Sequence, residues 1–189
     1  MSGKADDRRT KKTQKALRDS LTKLMSEKKL NKITVTELAE LADINRSTFY
    51  LYYTDVFDML EKTENEMLEE FSEAFEELKK DDPNDYSNLY GFFILMYRYI
   101  SDNSRICTIL LGPDGDSSFV DKFKKLIIHT KTSFNDSVSQ TKLKYIRPFI
   151  IAGCIGVIQE WLASGMKESP DEMAVISIEI VEDIVRNYI

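Results

Sequence analysis

The stretch from Ile33 to Leu60, ITVTELAELADINRSTFYLYYTDVFDML, decides the fold. Thr34 stands three residues ahead of Glu37, the pattern of a capping box, and Leu38, Ala39, Leu41 and Ala42 follow as a short apolar face. This predicts a helix from about Val35 to Ala42. Asp43, Ile44 and Asn45 break the helical period, and Asn45 is a good N-cap for a second short helix over Arg46 to Tyr53. Two short helices joined by a tight turn form a helix-turn-helix. In the second helix Phe49 and Tyr53 point the same way and are expected to complete a small core with Leu38, Leu41, Ala42 and Ile44. Arg46, Ser47, Thr48, Tyr50, Leu51 and Tyr52 are left facing outward or sideways. Hydroxyls and an arginine on a slim helix suit a DNA duplex, because they donate to phosphate oxygens and base edges in the major groove.

Around this stretch the chain reads as helices joined by short loops. Its 189 residues contain only 7 Gly and 4 Pro, and 42% apolar residues are enough for a hydrophobic core. No period-2 apolar run is found, so the expected class is all-α. An amphipathic helix should precede the motif, from Asp7 or Arg9 to Glu27, with Leu17, Leu21 and Leu24 on one side and Lys11, Lys12, Lys15 and Arg18 on the other or ahead of it. Thr54 or Asp55 can cap a long helix ending near Lys80, eight of whose residues between Glu61 and Glu77 are glutamates. Charge is divided unevenly. Up to Tyr53 there are 12 Lys and Arg against 7 Asp and Glu, and beyond it 14 against 25. A basic head on an acidic body implies that only the head meets a polyanion. The division is accordingly expected at 1–54, plus the start of the linking helix, for a DNA-binding domain and 55–189 for a helical regulatory and dimerisation domain.

Within the second part, DDPND at 81–85 and NDSVSQT from 135 read as loops, and GPDGD at 112–116 as a turn. Helices are expected over Tyr86 to Ser101, Arg105 to Leu111, Phe119 to Phe134, Lys144 to Ser164 and, after a Ser169–Pro170–Glu172 start, to Tyr188. The last two carry more apolar surface than one buried face needs, and Gly153 and Gly156 would let a neighbour approach closely. A subunit interface through Gly153, Gly156, Ile176, Ile180 and Ile184 is therefore expected, in a homodimer. Cys107 and Cys154 both lie in apolar sequence and are expected as small core residues rather than a disulfide, which suits a reducing cytoplasm. The charged N-terminus lacks the apolar segment of a signal peptide, and the uncharged stretch from Pro148 to Gln159 falls short of the roughly 20 residues that span a bilayer. A cytoplasmic protein with no membrane partner is expected. His129 is the single histidine, and no triad, phosphate loop or CxxC pair accompanies it. Neither catalysis, a metal nor a cofactor is expected.

The segment ITVTELAELADINRSTFYLYYTDVFDML resembles the DNA-binding region of the TetR family of transcriptional regulators. That family's pattern is an Ile-Thr, a helix ending in Ala, a Gly-Val-Ser-type turn, then Thr-Phe/Leu-Tyr and a Tyr/His-Phe pair before a Leu-rich helix. The likeness covers about 50 residues, Lys11 to Leu60; the remainder is similar in architecture, with its Gly-Pro-Asp-Gly-Asp turn and Trp161 on the penultimate helix. The resemblance implies that Thr34 and Thr36 begin the helix lying against the DNA backbone. It also implies that Arg46, Ser47, Thr48, Tyr50 and Leu51 are recognition positions and that Tyr52 contacts phosphate. A small-molecule effector would sit among Phe71, Phe75, Phe93, Tyr97, Phe123, Phe149 and Trp161. Two departures stand out: Val56 occupies the place of a phosphate-binding lysine, and Asp43 that of the turn glycine. The expected function is a ligand-responsive repressor, a homodimer on a palindromic operator of double-stranded DNA. The alternative is a helical adaptor whose head does not bind DNA specifically.

Overall fold

The computed structural model describes residues 3–79, 87–112, 115, 117–129 and 140–188. The expected loops at 81–85 and from 135, and the expected helix end at Phe134, lie outside them, as does the side chain of His129. Among the described residues all regular structure is helical. The helices are α1 (Gly3–Glu27), α2 (Val35–Leu41), α3 (Arg46–Phe49), α4 (Val56–Lys79), α5 (Ser87–Asp102), α6 (Ser104–Leu111), α7 (Ser117–His129), α8 (Gln140–Ala163) and α9 (Pro170–Tyr188), with one 3₁₀ turn at Leu30–Lys32. The chain forms two compact units, Met1–Met67 and Leu68–Ile189. The division falls inside α4, so the start of that helix goes with the first unit. The reason is packing: Val56, Met59, Leu60 and Met67 are buried, so the first turns of α4 belong to the core of the first unit.

In that unit Leu17, Leu21 and Leu24 of α1 are buried together with Ile33, Leu38, Ala39, Phe49 and Tyr53. Arg18 reaches Glu66 of α4 at 3.2 Å. Leu41, expected in this core, is 40% exposed. At 100° per residue the buried arc of α2 is centred between Leu38 and Ala39, and Leu41 lies more than 100° away from that centre. The turn after α2 is a Schellman motif, in which Ile44 N–H donates to Ala39 C=O at 3.0 Å and Asp43 N–H to Glu40 C=O at 3.2 Å. Such a closure needs a left-handed residue, and Asp43 supplies it with φ of 53°. An L side chain there is strained, aspartate less than most. Asp43→Gly is therefore expected to raise stability by up to about 1 kcal/mol. An unchanged or lowered thermal midpoint would contradict this.

The second unit is built on α5 packed against α9, with α6 and α7 against α8. Tyr97 of α5 and Ser177 of α9, both buried, share a hydrogen bond at 2.7 Å. Each thereby satisfies a hydroxyl that burial would otherwise leave costly. Trp161 Nε1 donates to Glu168 C=O at 3.0 Å, tying the α8–α9 connection to the core. That connection closes with a second Schellman motif, Met166 N–H to Trp161 C=O at 2.8 Å and Gly165 N–H to Leu162 C=O at 3.1 Å, around Gly165 with φ of 82°. The Ser169–Glu172 capping box then opens α9. Cys107 is buried and Cys154 half-buried, both as free thiols. Burial pushes them up to about 12 and about 11, far from the thiolate form. The Thr141–Ala163 part of α8 is long and apolar enough to cross a membrane by length and composition. In the fold one side of it packs on α6 and α7, and the other carries exposed Tyr145, Phe149, Gly153 and Gly156.

Candidate nucleic-acid interface

The helix-turn-helix is held by its own caps. Thr34 Oγ1 accepts from Glu37 N–H at 3.3 Å, and the Glu37 carboxylate accepts from Thr34 N–H at 3.0 Å and from the Thr34 hydroxyl at 2.9 Å. Lys28, at the end of α1, closes on the same carboxylate. These contacts, Lys28 first and Thr34 second, hold Glu37 down to about 2. A depressed carboxyl contributes stability above its unfolded value near ~4.3 that is lost as pH falls through the folded value. The stability difference between the wild type and Glu37→Gln should therefore be constant above about pH 5 and shrink toward pH 2. Paired thermal melts across that range check it; a difference that grows on acidification would contradict it.

Asn45 caps α3 as its side chain implied, Oδ1 accepting from Ser47 N–H at 2.9 Å and from the Ser47 hydroxyl at 2.9 Å. The helix is shorter than expected. Regular α-helix ends at Phe49, and the chain continues in tight turns, Leu51 N–H to Thr48 C=O at 3.3 Å and Tyr52 N–H to Phe49 C=O at 3.0 Å. Phe49 and Tyr53 are buried, so the core side of this segment is closed. On the other side Thr34, Thr36, Arg46 and Ser47 are exposed, Tyr50 is 48% and Leu51 77% exposed, and Thr48 and Tyr52 are half-buried. Arg46 donates to the Tyr50 hydroxyl at 3.1 Å, with its guanidinium 5.7 Å from that ring's centre. This pre-sets an arginine fork whose other edge matches guanine O6 and N7. Beneath Tyr52, Lys62 donates to its carbonyl at 3.0 Å and to Asp58 at 3.0 Å. Lys62 lies ten residues away on α4, and nothing in the local sequence pattern couples it to Tyr52.

The start of α4 departs from the phosphate-binding expectation. Val56 is buried in the first unit. The helix N-terminus is capped by two carboxylates, Asp55 Oδ1 accepting from Asp58 N–H and Asp58 Oδ2 from Thr54 N–H, each at 2.8 Å. The Thr54 amide, with Lys62 beside it, holds Asp58 below the usual range.

In the second unit, six of the seven expected effector-contacting residues are buried: Phe71, Phe75, Phe93, Tyr97, Phe123 and Trp161. Their rings form a nearly continuous series through Phe92, with Phe75–Phe92 at 4.9 Å, Phe71–Phe123 at 6.0 Å and Tyr97–Trp161 at 5.2 Å between centres. Phe149 is set apart, 66% exposed. Twelve residues separate it from Trp161, which is about 120° around the helix, so the two cannot share a face. Phe149 instead lines an apolar groove of about 150 Å³ between α8 and α9, with Gly153, Cys154, Val157, Ile180 and Ile184. Of the residues expected at a subunit interface, Gly153 and Ile180 are exposed and Ile184 is half-buried on this groove, while Gly156 and Ile176 are exposed but do not line it. Val175 and Tyr145 are exposed as well, Tyr145 being one that periodicity did not single out.

A TetR-family model described as Transcriptional regulator C-terminal region matches residues 87–183, just over half the chain. The chain belongs to the TetR family of transcriptional regulators. The regulator's fold is similar to that of the fatty acid degradation regulator FadR of Bacillus halodurans (TM-score 0.69, 13% identity, 89% of this chain and 94% of that one). It is also similar to a TetR transcriptional regulator of Streptococcus agalactiae 2603V (0.65, 19%, 95% and 99%). A third similar structure is FadR of Bacillus subtilis in complex with stearoyl-CoA (0.61, 14%, 90% and 96%). A comparison with curated protein sequences gave no match. The match to the second unit complements the helix-turn-helix pattern, which lies wholly in the first.

Proposed function

We propose that this regulator is a sequence-specific DNA-binding repressor that acts as a homodimer on a palindromic operator and releases it on binding an apolar effector. The observation that carries the reading is the two-sided segment from Arg46 to Tyr53, α3 and the turns that follow it. Phe49 and Tyr53 lock it to the core, while Arg46, Ser47, Tyr50 and Leu51 stay exposed on a capped, rigid mount. Arg46, Ser47, Tyr50 and Leu51 read base edges; Thr34, Thr36, Thr48 and Tyr52 hold phosphates. The second copy is held through the exposed faces of α8 and α9. A DNA partner places the work of the protein in the cytoplasm. The adaptor alternative explains the basic head only by an acidic protein partner, and salt-dependent binding to duplex DNA separates the two.

The effector reading rests on the aromatic core of the second unit, with Phe71 and Phe75 on α4. That helix is continuous into the first unit, so a ligand that shifts α4 shifts the recognition unit attached to its other end. Two recognition helices must enter major grooves about 34 Å apart, and a shift of either weakens the fit to both half-sites. The complex of the Bacillus subtilis FadR with stearoyl-CoA supports an acyl-chain ligand for this fold. Titration of operator duplex at several salt concentrations, with and without stearoyl-CoA, tests both readings. Binding should weaken steeply with salt, and Thr48→Ala and Tyr52→Phe should weaken all sequences alike. By linkage the operator should lower stearoyl-CoA affinity by the same factor that stearoyl-CoA lowers operator affinity. Salt-independent or absent duplex binding sinks the DNA reading; equal ligand affinity with and without operator sinks the inducer reading alone.

A further inference from the structure

A second cationic surface lies on the first half of α1. Arg8, Arg9, Lys12 and Lys15 are exposed there and make no ion pair among the described residues. None of residues 8–16 is fully buried, and from Arg8 onward the first buried residue is Leu17. Arg8, Lys12 and Lys15 stand at i, i+4 and i+7, so they share one stripe about 10 Å long. Cations in the first half of a helix oppose its macrodipole, and among residues 8–16 only Thr10, Thr13, Gln14 and Ala16 are even partly covered, so tertiary packing does little to offset that conflict. The placement therefore works against the stability of the free helix. What it suits is a polyanion laid along the stripe.

A polyanion is also what the start of α4 is ill-suited to hold. Buried Val56 and the carboxylates of Asp55 and Asp58 occupy that end, so a duplex arriving there meets negative charge. The acidic second part of the chain offers no substitute. We propose that the Arg8–Lys12–Lys15 stripe of α1 binds duplex phosphates outside the base pairs read by the recognition helix, supplying the backbone affinity that the start of α4 does not. This rests on the reading that the first unit binds DNA. The interaction is sequence-independent, and it orders the first half of α1 against the duplex.

The test compares the wild type with Arg8→Ala/Lys12→Ala/Lys15→Ala and with the charge-retaining Arg8→Lys/Lys12→Arg/Lys15→Arg, on the full protein. The alanine variant should show a log-affinity against log-salt slope shallower by about 0.9 for each phosphate it no longer neutralises. That amounts to as much as ~5 for three phosphates at each of two heads, by the same amount on operator and unrelated duplexes. The charge-retaining variant should keep the wild-type slope. Circular dichroism of the free alanine variant should show helix content equal to or above wild type, since alanine favours helix and the dipole conflict is gone. On a duplex trimmed to the base pairs under the recognition helices, the wild type and the alanine variant should converge. An alanine variant with the wild-type slope, or a difference that survives trimming, overturns the proposal. A wild type that binds no duplex overturns the functional reading instead.

Discussion

Ile180→Glu is expected to turn the proposed dimer into a monomer at micromolar concentration, with the subunit fold intact. Ile180 is 45% exposed on the groove it shares with Phe149 and Gly153, so a longer polar side chain there disturbs little within one chain. In an isologous interface each substitution occurs twice. A glutamate buried by the partner must either stay charged in an apolar contact or take up a proton. At pH 7, protonation costs about 1.4 kcal/mol per unit above a pKa near ~4.3, so about 3.7 kcal/mol per copy. Two copies bound the loss at about 7 kcal/mol, a rise in the dimer Kd of up to ~10⁵-fold. The defect should shrink as pH falls toward 5, because the proton then comes more cheaply. Gly153→Leu is the complementary variant. A Cβ added at Gly153 meets nothing within 4 Å in the chain, and leucine favours helix over glycine by roughly 0.5–1 kcal/mol. The variant should be a more stable subunit that dimerises poorly. Light scattering that finds both variants dimeric at micromolar concentration would place the interface elsewhere.

Arg46→Ala should weaken operator binding by roughly 2–6 kcal/mol, about 30-fold to 10⁴-fold, and relax sequence preference at one base pair of each half-site. The magnitude follows from about 1–3 kcal/mol for a bidentate arginine–base pair, removed from both heads. The Tyr50 hydroxyl 3.1 Å from the guanidinium pre-orients the fork, so Tyr50→Phe should lose part of the same preference without removing the charge. Selection from a partly randomised duplex reads both quantities at once. If Arg46→Ala lowers affinity equally on every sequence, the arginine holds phosphate and base reading belongs to Leu51 and Ser47. Unchanged affinity would show that the DNA-facing surface lies elsewhere.

Much of the recognition unit was legible because its determinants are local. The Thr34–Glu37 and Ser169–Glu172 boxes, the Asn45 cap and the Gly165 terminator are interactions across two to five residues, and the side chains that make them stand in the sequence at those spacings. The burial of Phe49 and Tyr53 also follows from their four-residue spacing. The length of α3 did not follow, because hydrogen bonding passes from α-helix to tighter turns at Tyr50 without any breaker residue to signal it.

Other features depend on neighbours distant in the chain. Leu38 and Leu41 are alike as residues, and only the direction from which α1 and α3 pack on α2 buries the first and leaves the second exposed. α8 is apolar around most of its circumference, so no periodicity could tell that Trp161 faces α5 and the α8–α9 connection while Phe149 lies about 120° away on the groove. The Tyr97–Ser177 hydrogen bond joins residues 80 positions apart. By itself the sequence determined the helical class, the helix-turn-helix with its outward side chains, and the caps, since each is set by contacts within a turn or two. Tertiary structure alone decided how far along α4 the first compact unit extends and which face of each apolar helix stays exposed, because those depend on how separate helices share a limited buried surface.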